Sequence, residues 1–226
     1  MKRIAFNERL LILAGTGLVF SGLANAQSPL YTRLGDGTND RLGAAVGDAG
    51  DYDDDTFTDF IAGAPQDFSV FDPQPGYARI YSGINGGTIQ TLTGLANWDG
   101  FGESVDGLGD YDGDLWDDVV VGAPSAGDSQ RGQATVFSGA TGMPIAMFTG
   151  DEDLDFLGRS VSRAFDVNDD GYNDVLVGIP NHDEVLQNVG EARVYSGFDN
   201  SLLCSFIGED SGDQLGFSVS ELGDTN

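Results

Sequence analysis

The chain has 226 residues, with 37 acidic against 10 basic side chains and a formal net charge of −27. A surface of that sign repels phosphate backbones and acidic headgroups, so nucleic acid and anionic membrane surfaces are excluded as partners. The single cysteine, Cys204, excludes an internal disulfide, and its strand position marks it as a buried small hydrophobe.

Residues 1–26 read as an export signal: Lys2, Arg3 and Arg9 make a basic start, Leu10 to Phe20 is mostly apolar, and Ala24-Asn25-Ala26 is a small-x-small cleavage site. The apolar stretch is shorter than the roughly 20 residues that span a bilayer. Cleavage removes three basic residues and one acidic one, leaving −29 with seven arginines and no lysine. The expected location is secreted, extracellular or at the cell surface, the periplasm included, where calcium is abundant.

The mature part, 27–226, is a repeat array. Leu42-Gly43, Phe101-Gly102, Leu157-Gly158 and Leu215-Gly216 lie 59, 56 and 58 residues apart. That period, slightly above the ~40–50 residues of a propeller blade, points to a radial β array. Residues 30–41 align without gaps to the end of the third repeat, so they are expected to be a closing strand with no blade of their own in front. Repeats follow at 42–100, 101–156 and 157–214, and a truncated one at 215–226 stops inside its acidic loop, where Asp224 and Asn226 alone cannot enclose an ion. The chain therefore reads as the N-terminal piece of a longer propeller. Its open edges would pair with the remaining blades of the same chain or drive self-association.

Each unit reads as four short strands, because Gly and Pro punctuate every stretch at intervals too short for a helix. The first, such as Gly102-Glu103-Ser104-Val105, carries small residues suited to the crowded axis. The second is a continuous apolar run ending in Gly-x-Pro, as in Val119-Val120-Val121-Gly122-Ala123-Pro124, expected where both faces are covered. The third alternates around Ala134–Phe137, and the fourth runs through Ile89–Leu92, Ile145–Phe148 and Leu203–Ile207.

Between the first two strands lies the loop that carries the chemistry. It reads Asp51, Asp53, Asp55 and Asp59 in the first repeat, then Asp110, Asp112, Asp114 and Asp118, then Asp166, Asn168, Asp170 and Asp174. These are positions 1, 3, 5 and 9. With the main-chain carbonyl of position 7 (Phe57, Trp116, Tyr172), they supply the hard oxygen donors that calcium takes six or more at a time. Four such side chains together without a cation repel strongly. An EF-hand is excluded, since it needs a bidentate Glu at position 12, where Ala62, Val121 and Val177 stand instead.

Phe101-Gly102, the acidic loop and Gly122-Ala123-Pro124 together resemble the FG-GAP repeat of the integrin alpha-subunit β-propeller and its bacterial relatives. The likeness covers residues 30–226. It departs from the motif at Leu42, at Leu157 and in Gly178-Ile179-Pro180, and position 6 carries Thr56 and Leu115 where Gly171 keeps the usual glycine. The resemblance implies an all-β fold, a seven-bladed propeller binding calcium between the first two strands of its blades. It further implies service as an adhesion or interaction module for a protein or glycan, or as a non-catalytic accessory to an exported enzyme whose catalytic domain lies elsewhere.

No nucleophile, metalloprotease or phosphate-loop motif occurs, and His182, the one histidine, lies in a variable loop. Catalysis is not expected. Opposite the acidic loops, Phe68, Phe71 and Trp98 fall on predicted loops, either as anchors for a partner or packed onto their own blades.

Overall fold

The computed structural model describes residues 31–37, 39–66, 74–183 and 187–221. Phe68 and Phe71, the export signal expected at 1–26 and the last acidic stub lie outside these residues. The chain divides into residues 1–32 and 33–226, and the second unit holds every strand found among the described residues.

Twelve strands form three four-stranded antiparallel sheets, each a simple meander. The first holds β1 (Ala45–Gly50), β2 (Asp59–Ala64), β3 (Pro75–Tyr81) and β4 (Thr88–Asn97). The second holds β5 (Ser104–Gly109), β6 (Asp118–Ala123), β7 (Gln133–Phe137) and β8 (Pro144–Thr149). The third holds β9 (Ser160–Phe165), β10 (Asp174–Ile179), β11 (Glu191–Tyr195) and β12 (Leu202–Ile207). One 3-10 turn, Asp128–Gln130, is the only helical element among the described residues. These sheets are blades of a β-propeller, one per sequence repeat.

The first strands pack on one another, β1 on β5 and β5 on β9, so they are the innermost. Between them the second strands bury both faces. Val119, Val121 and Ala123 join a core with Ile61, Ala78 and Ile80 of the first blade, while Val120 points to Val175, Val177 and Ile179 of the third. That division explains why β6 has no polar position after Asp118. Aromatic pairs sit in the same seams: Phe101 meets Phe137 at 5.9 Å within the second repeat, and Phe148 of the second blade stacks on Tyr195 of the third at 4.1 Å.

The Gly-x-Pro and Phe/Leu-Gly motifs turn out to be two halves of one joint. A Cβ on Gly122 would lie 2.1 Å from the Gly158 carbonyl oxygen of the next blade, and Gly63 and Gly178 meet Gly102 and Gly216 in the same way. Ser104 Oγ donates to that Gly158 oxygen at 2.8 Å, and Ser160 repeats the bond to Gly216. Ala45 holds the equivalent place in the first blade. Ser104→Ala is therefore expected to cost about 1 kcal/mol, read as a lower denaturation midpoint in urea; an unchanged midpoint would mean the bond contributes nothing.

Three expectations need correction. Residues 31–37 and 39–41 form no strand; a lone edge needs a partner strand, and Arg33 instead donates from Nε to the Gly86 carbonyl at 2.5 Å. The fourth strand of the first blade runs on to Asn97, because Pro75 opposite it prolongs the ladder past a register shift. Cys204 is half-buried rather than buried, since β12 is an outermost strand.

Candidate metal centre

Each acidic loop links the first two strands of its blade, with a register slip beside it, at Asp48/Gly50 and Gly107/Gly109 on the entering strand and where Asp174/Val175 pair with Phe165/Arg163 in the third blade. Such bulges twist a strand and re-aim the residues beyond them. Inside the loop, positions 4 and 6 both take left-handed backbone: Asp54 and Thr56 at φ 56° and 74°, Gly113 and Leu115 at 82° and 75°, Asp169 and Gly171 at 57° and 93°. Position 6 therefore needs the geometry glycine provides, and Thr56 and Leu115 adopt it against their preference.

The turn is held by its own carboxylates. Position 1 accepts two main-chain N–H bonds: Asp51 from Asp55 and Thr56 at 2.8 Å each, Asp110 from Gly113 at 2.7 Å and Leu115 at 3.0 Å, Asp166 from Asp170 at 2.9 Å and Gly171 at 2.8 Å. Position 5 accepts from position 7, through Asp55 to Phe57, Asp114 to Trp116 and Asp170 to Tyr172 at 2.9–3.0 Å.

Position 9 opens the second strand and is buried in every blade. Asp118 accepts from Tyr111 N at 2.9 Å and from Gly139 N, in the hairpin between the third and fourth strands, at 2.8 Å. Asp59 makes the same pair with Tyr52 and Gly83, and Asp174 with Val167 and Gly197. This residue is both a candidate ligand and the brace between the loop and that hairpin, a double role the spacing did not disclose.

One carboxylate oxygen each from Asp51, Asp53 and Asp59 lies within 4.8 Å of the others, and the same holds for Asp110, Asp112 and Asp118. Asp55 and Asp114 stand outside these groups. In the third loop Asn168 replaces a carboxylate, and its amide donates to Asp170 at 2.8 Å. Burial pushes Asp118 up to about 7, with Asp112 and Asp114 adding to it. It also raises Asp59, Asp174, Asp112 and Asp53, each with neighbouring loop carboxylates in the same sense. Asp53 Oδ1 is buried with no hydrogen-bond partner. All-oxygen donors, crowded, partly desolvated and with one oxygen left over, fit a hard divalent cation.

Comparison with known proteins gives the same repeat. Residues 157–195 match the FG-GAP repeat model. The chain is 29% identical over 182 residues to integrin alpha-5 of Xenopus laevis, covering 74% of this chain and 17% of that protein. It is 31% identical over 149 residues to integrin alpha-8 of Mus musculus, covering 62% of this chain and 14% of the relative. The chain carries an FG-GAP repeat and is integrin alpha-like in sequence. It spans about a sixth of the length of the curated relatives it matches.

Within these repeats, three further sets of residues matter that loop spacing alone passed over. Asp117, at position 8, accepts from Asp51 N of the previous blade's loop at 2.7 Å, so neighbouring loops are coupled. Tyr52 and Tyr111, at position 2, are buried and donate to the Ser138 and Ser196 carbonyls of the next blade at 3.4 and 3.2 Å. A second acidic series, Asp40, Asp99 and Asp155, sits two residues before each FG pair, buried. Asp99 accepts from Phe101 N at 2.9 Å, and Asp40 from Tyr77 Oη at 2.7 Å. Its repeat period was the available signal.

His182 is drawn inward from its variable loop. Its ring is largely buried, with Nδ1 3.8 Å from Asp155 and Nε2 3.7 Å from Glu191. Trp98 stands partly exposed in the turn after β4. Among the described residues no helix is long and apolar enough to cross a membrane.

Proposed function

We propose that this protein is an exported or cell-surface β-propeller that binds calcium in its acidic loops and works as a non-catalytic adhesion or interaction module for a protein or glycan. The observation that carries it is the convergence of Asp51, Asp53 and Asp59, with Asp53 Oδ1 buried and unpartnered, and the matching convergence of Asp110, Asp112 and Asp118. The names of the integrin alpha relatives support the adhesion half. Bound calcium would supply positive charge and oxygen coordination, pinning each loop to its blade through positions 1, 3, 5 and 9 and the position-7 carbonyls.

Ligand charge sets affinity in such loops. The third, with Asn168 and no comparable carboxylate group, is expected to bind most weakly. Calorimetry at millimolar calcium should show one ion per loop, in two classes, and Asp110→Ala should remove one ion from the tighter class. Unchanged stoichiometry in that variant, or no heat at all, would overturn the assignment.

A further inference from the structure

We propose that the face opposite the acidic loops carries a groove for an acidic oligosaccharide, with Arg41 and Arg159 receiving its carboxylates. The proposal rests on the interaction-module reading and names its ligand class and site.

The groove has a volume of about 420 Å³ and lies where FG turns and Gly-x-Pro segments of successive blades meet. Buried Pro65, Pro124 and Pro180 contribute to its walls. Its lining holds two guanidinium groups against one carboxylate. Glu103 bridges them, at 2.9 Å from Arg159 and 3.6 Å from Arg41, and both arginine side chains remain a third or more exposed. In a chain of net charge −27, this local excess of positive charge is where an anion is drawn.

Backbone conformation is also unfavourable for side chains at this place, as it is in the acidic loops. The residue before each FG pair has left-handed φ: Arg41 58°, Gly100 72°, Phe156 55° and Gln214 53°. Glycine suits that position, and the second blade uses it. The other three repeats hold Arg, Phe and Gln there, and all three line the groove, as does Gln66 at φ 65°. Side-chain chemistry is thus kept against backbone preference, which is characteristic of binding sites.

That chemistry fits a sugar acid. Gln66, Asn181 and Gln214 offer planar amides that both donate and accept, as ring hydroxyls require. Arg159 stacks over the Phe217 ring at 4.8 Å, an arrangement that leaves guanidinium N–H edges for a carboxylate. Phe156 and Phe217 supply aromatic surface for the C–H face of a sugar. No aliphatic side chain larger than proline is in the lining, so the groove lacks the apolar pocket an acidic peptide would use as an anchor.

The test is calorimetry of the full chain with tetragalacturonate, its neutral galactose counterpart and tetraglutamate, in calcium. Arg41→Gln/Arg159→Gln should weaken tetragalacturonate binding at least tenfold with an unchanged melting temperature. Glu103→Gln should strengthen it severalfold, Asp110→Ala should leave it unchanged, and the neutral sugar should not bind. If the double variant does not fold, Arg41→Gln alone should still weaken binding. Equal binding by the arginine variants and wild type overturns the groove, as does loss of binding in Asp110→Ala, which would mean calcium bridging. Tetraglutamate binding as tightly overturns the saccharide in favour of a protein ligand. No saccharide binding beside normal calcium titration refutes the groove alone, whereas saccharide binding without calcium uptake refutes the metal reading alone.

Discussion

Gly122→Ala is expected to lower stability by about 3 kcal/mol, a shift of roughly 6–12 °C in melting temperature for a domain of this size. The added methyl would sit 2.1 Å from the Gly158 oxygen, a backbone obstacle that cannot rotate away, and 2.2 Å from Ser104 Oγ. Relief requires the second and third blades to part. Parting them strains the Ser104 bond to the same oxygen and opens the seam in which Val120, Val175 and Val177 pack. Gly37→Ala is the control, since a Cβ there meets nothing within 4 Å and the backbone is not left-handed; it should change stability by less than about 0.5 kcal/mol. Equal melting of the two variants would show that the blades are not held at the distance described.

The joint also shows what the sequence could and could not disclose. Gly122 and Gly158 were both visible as repeated motif positions, and the four-strand unit, the innermost first strand and the position of the loops all follow from periodicity. That a glycine of one motif receives the carbonyl of the next repeat's motif is a relation between segments 36 residues apart, and no local pattern encodes it. The same limit applies at Asp117, whose partner is Asp51 N in another blade. Strand ends differ from expectation at 31–37 and 39–41 and at β4 for a related reason, since pairing partners, rather than the strand's own residues, decide where a ladder stops. The acidic loops were legible because their donors are close together in sequence. Even so, spacing treated positions 1, 3, 5 and 9 alike, whereas the fold buries position 9 and leaves position 5 outside the carboxylate groups.

That inequality gives the sharpest expectation about the metal loops. Asp110→Ala and Asp118→Ala should both abolish calcium binding in the second loop, but only Asp118→Ala should destabilise the metal-free protein. Asp110 bonds Gly113 N and Leu115 N on the exposed turn, and water replaces a lost acceptor there at little cost. Asp118 is fully buried, and its loss strands the N–H groups of Tyr111 and Gly139. Each stranded group costs about 1–3 kcal/mol. Against this stands the cost of keeping an ionised carboxylate in that place, visible in its elevation to about 7, so the net loss in a chelator should fall near ~2 kcal/mol. Calcium at a hundred times its dissociation constant adds about 2.7 kcal/mol per filled site. In calcium, therefore, Asp110→Ala should fall behind the wild type by about that amount, and Asp118→Ala by that amount plus its metal-free deficit. Urea melts of the three proteins, with chelator and with calcium, separate the two contributions. Coincident curves for both variants in chelator would show that position 9 acts as a ligand only and does not brace the hairpin.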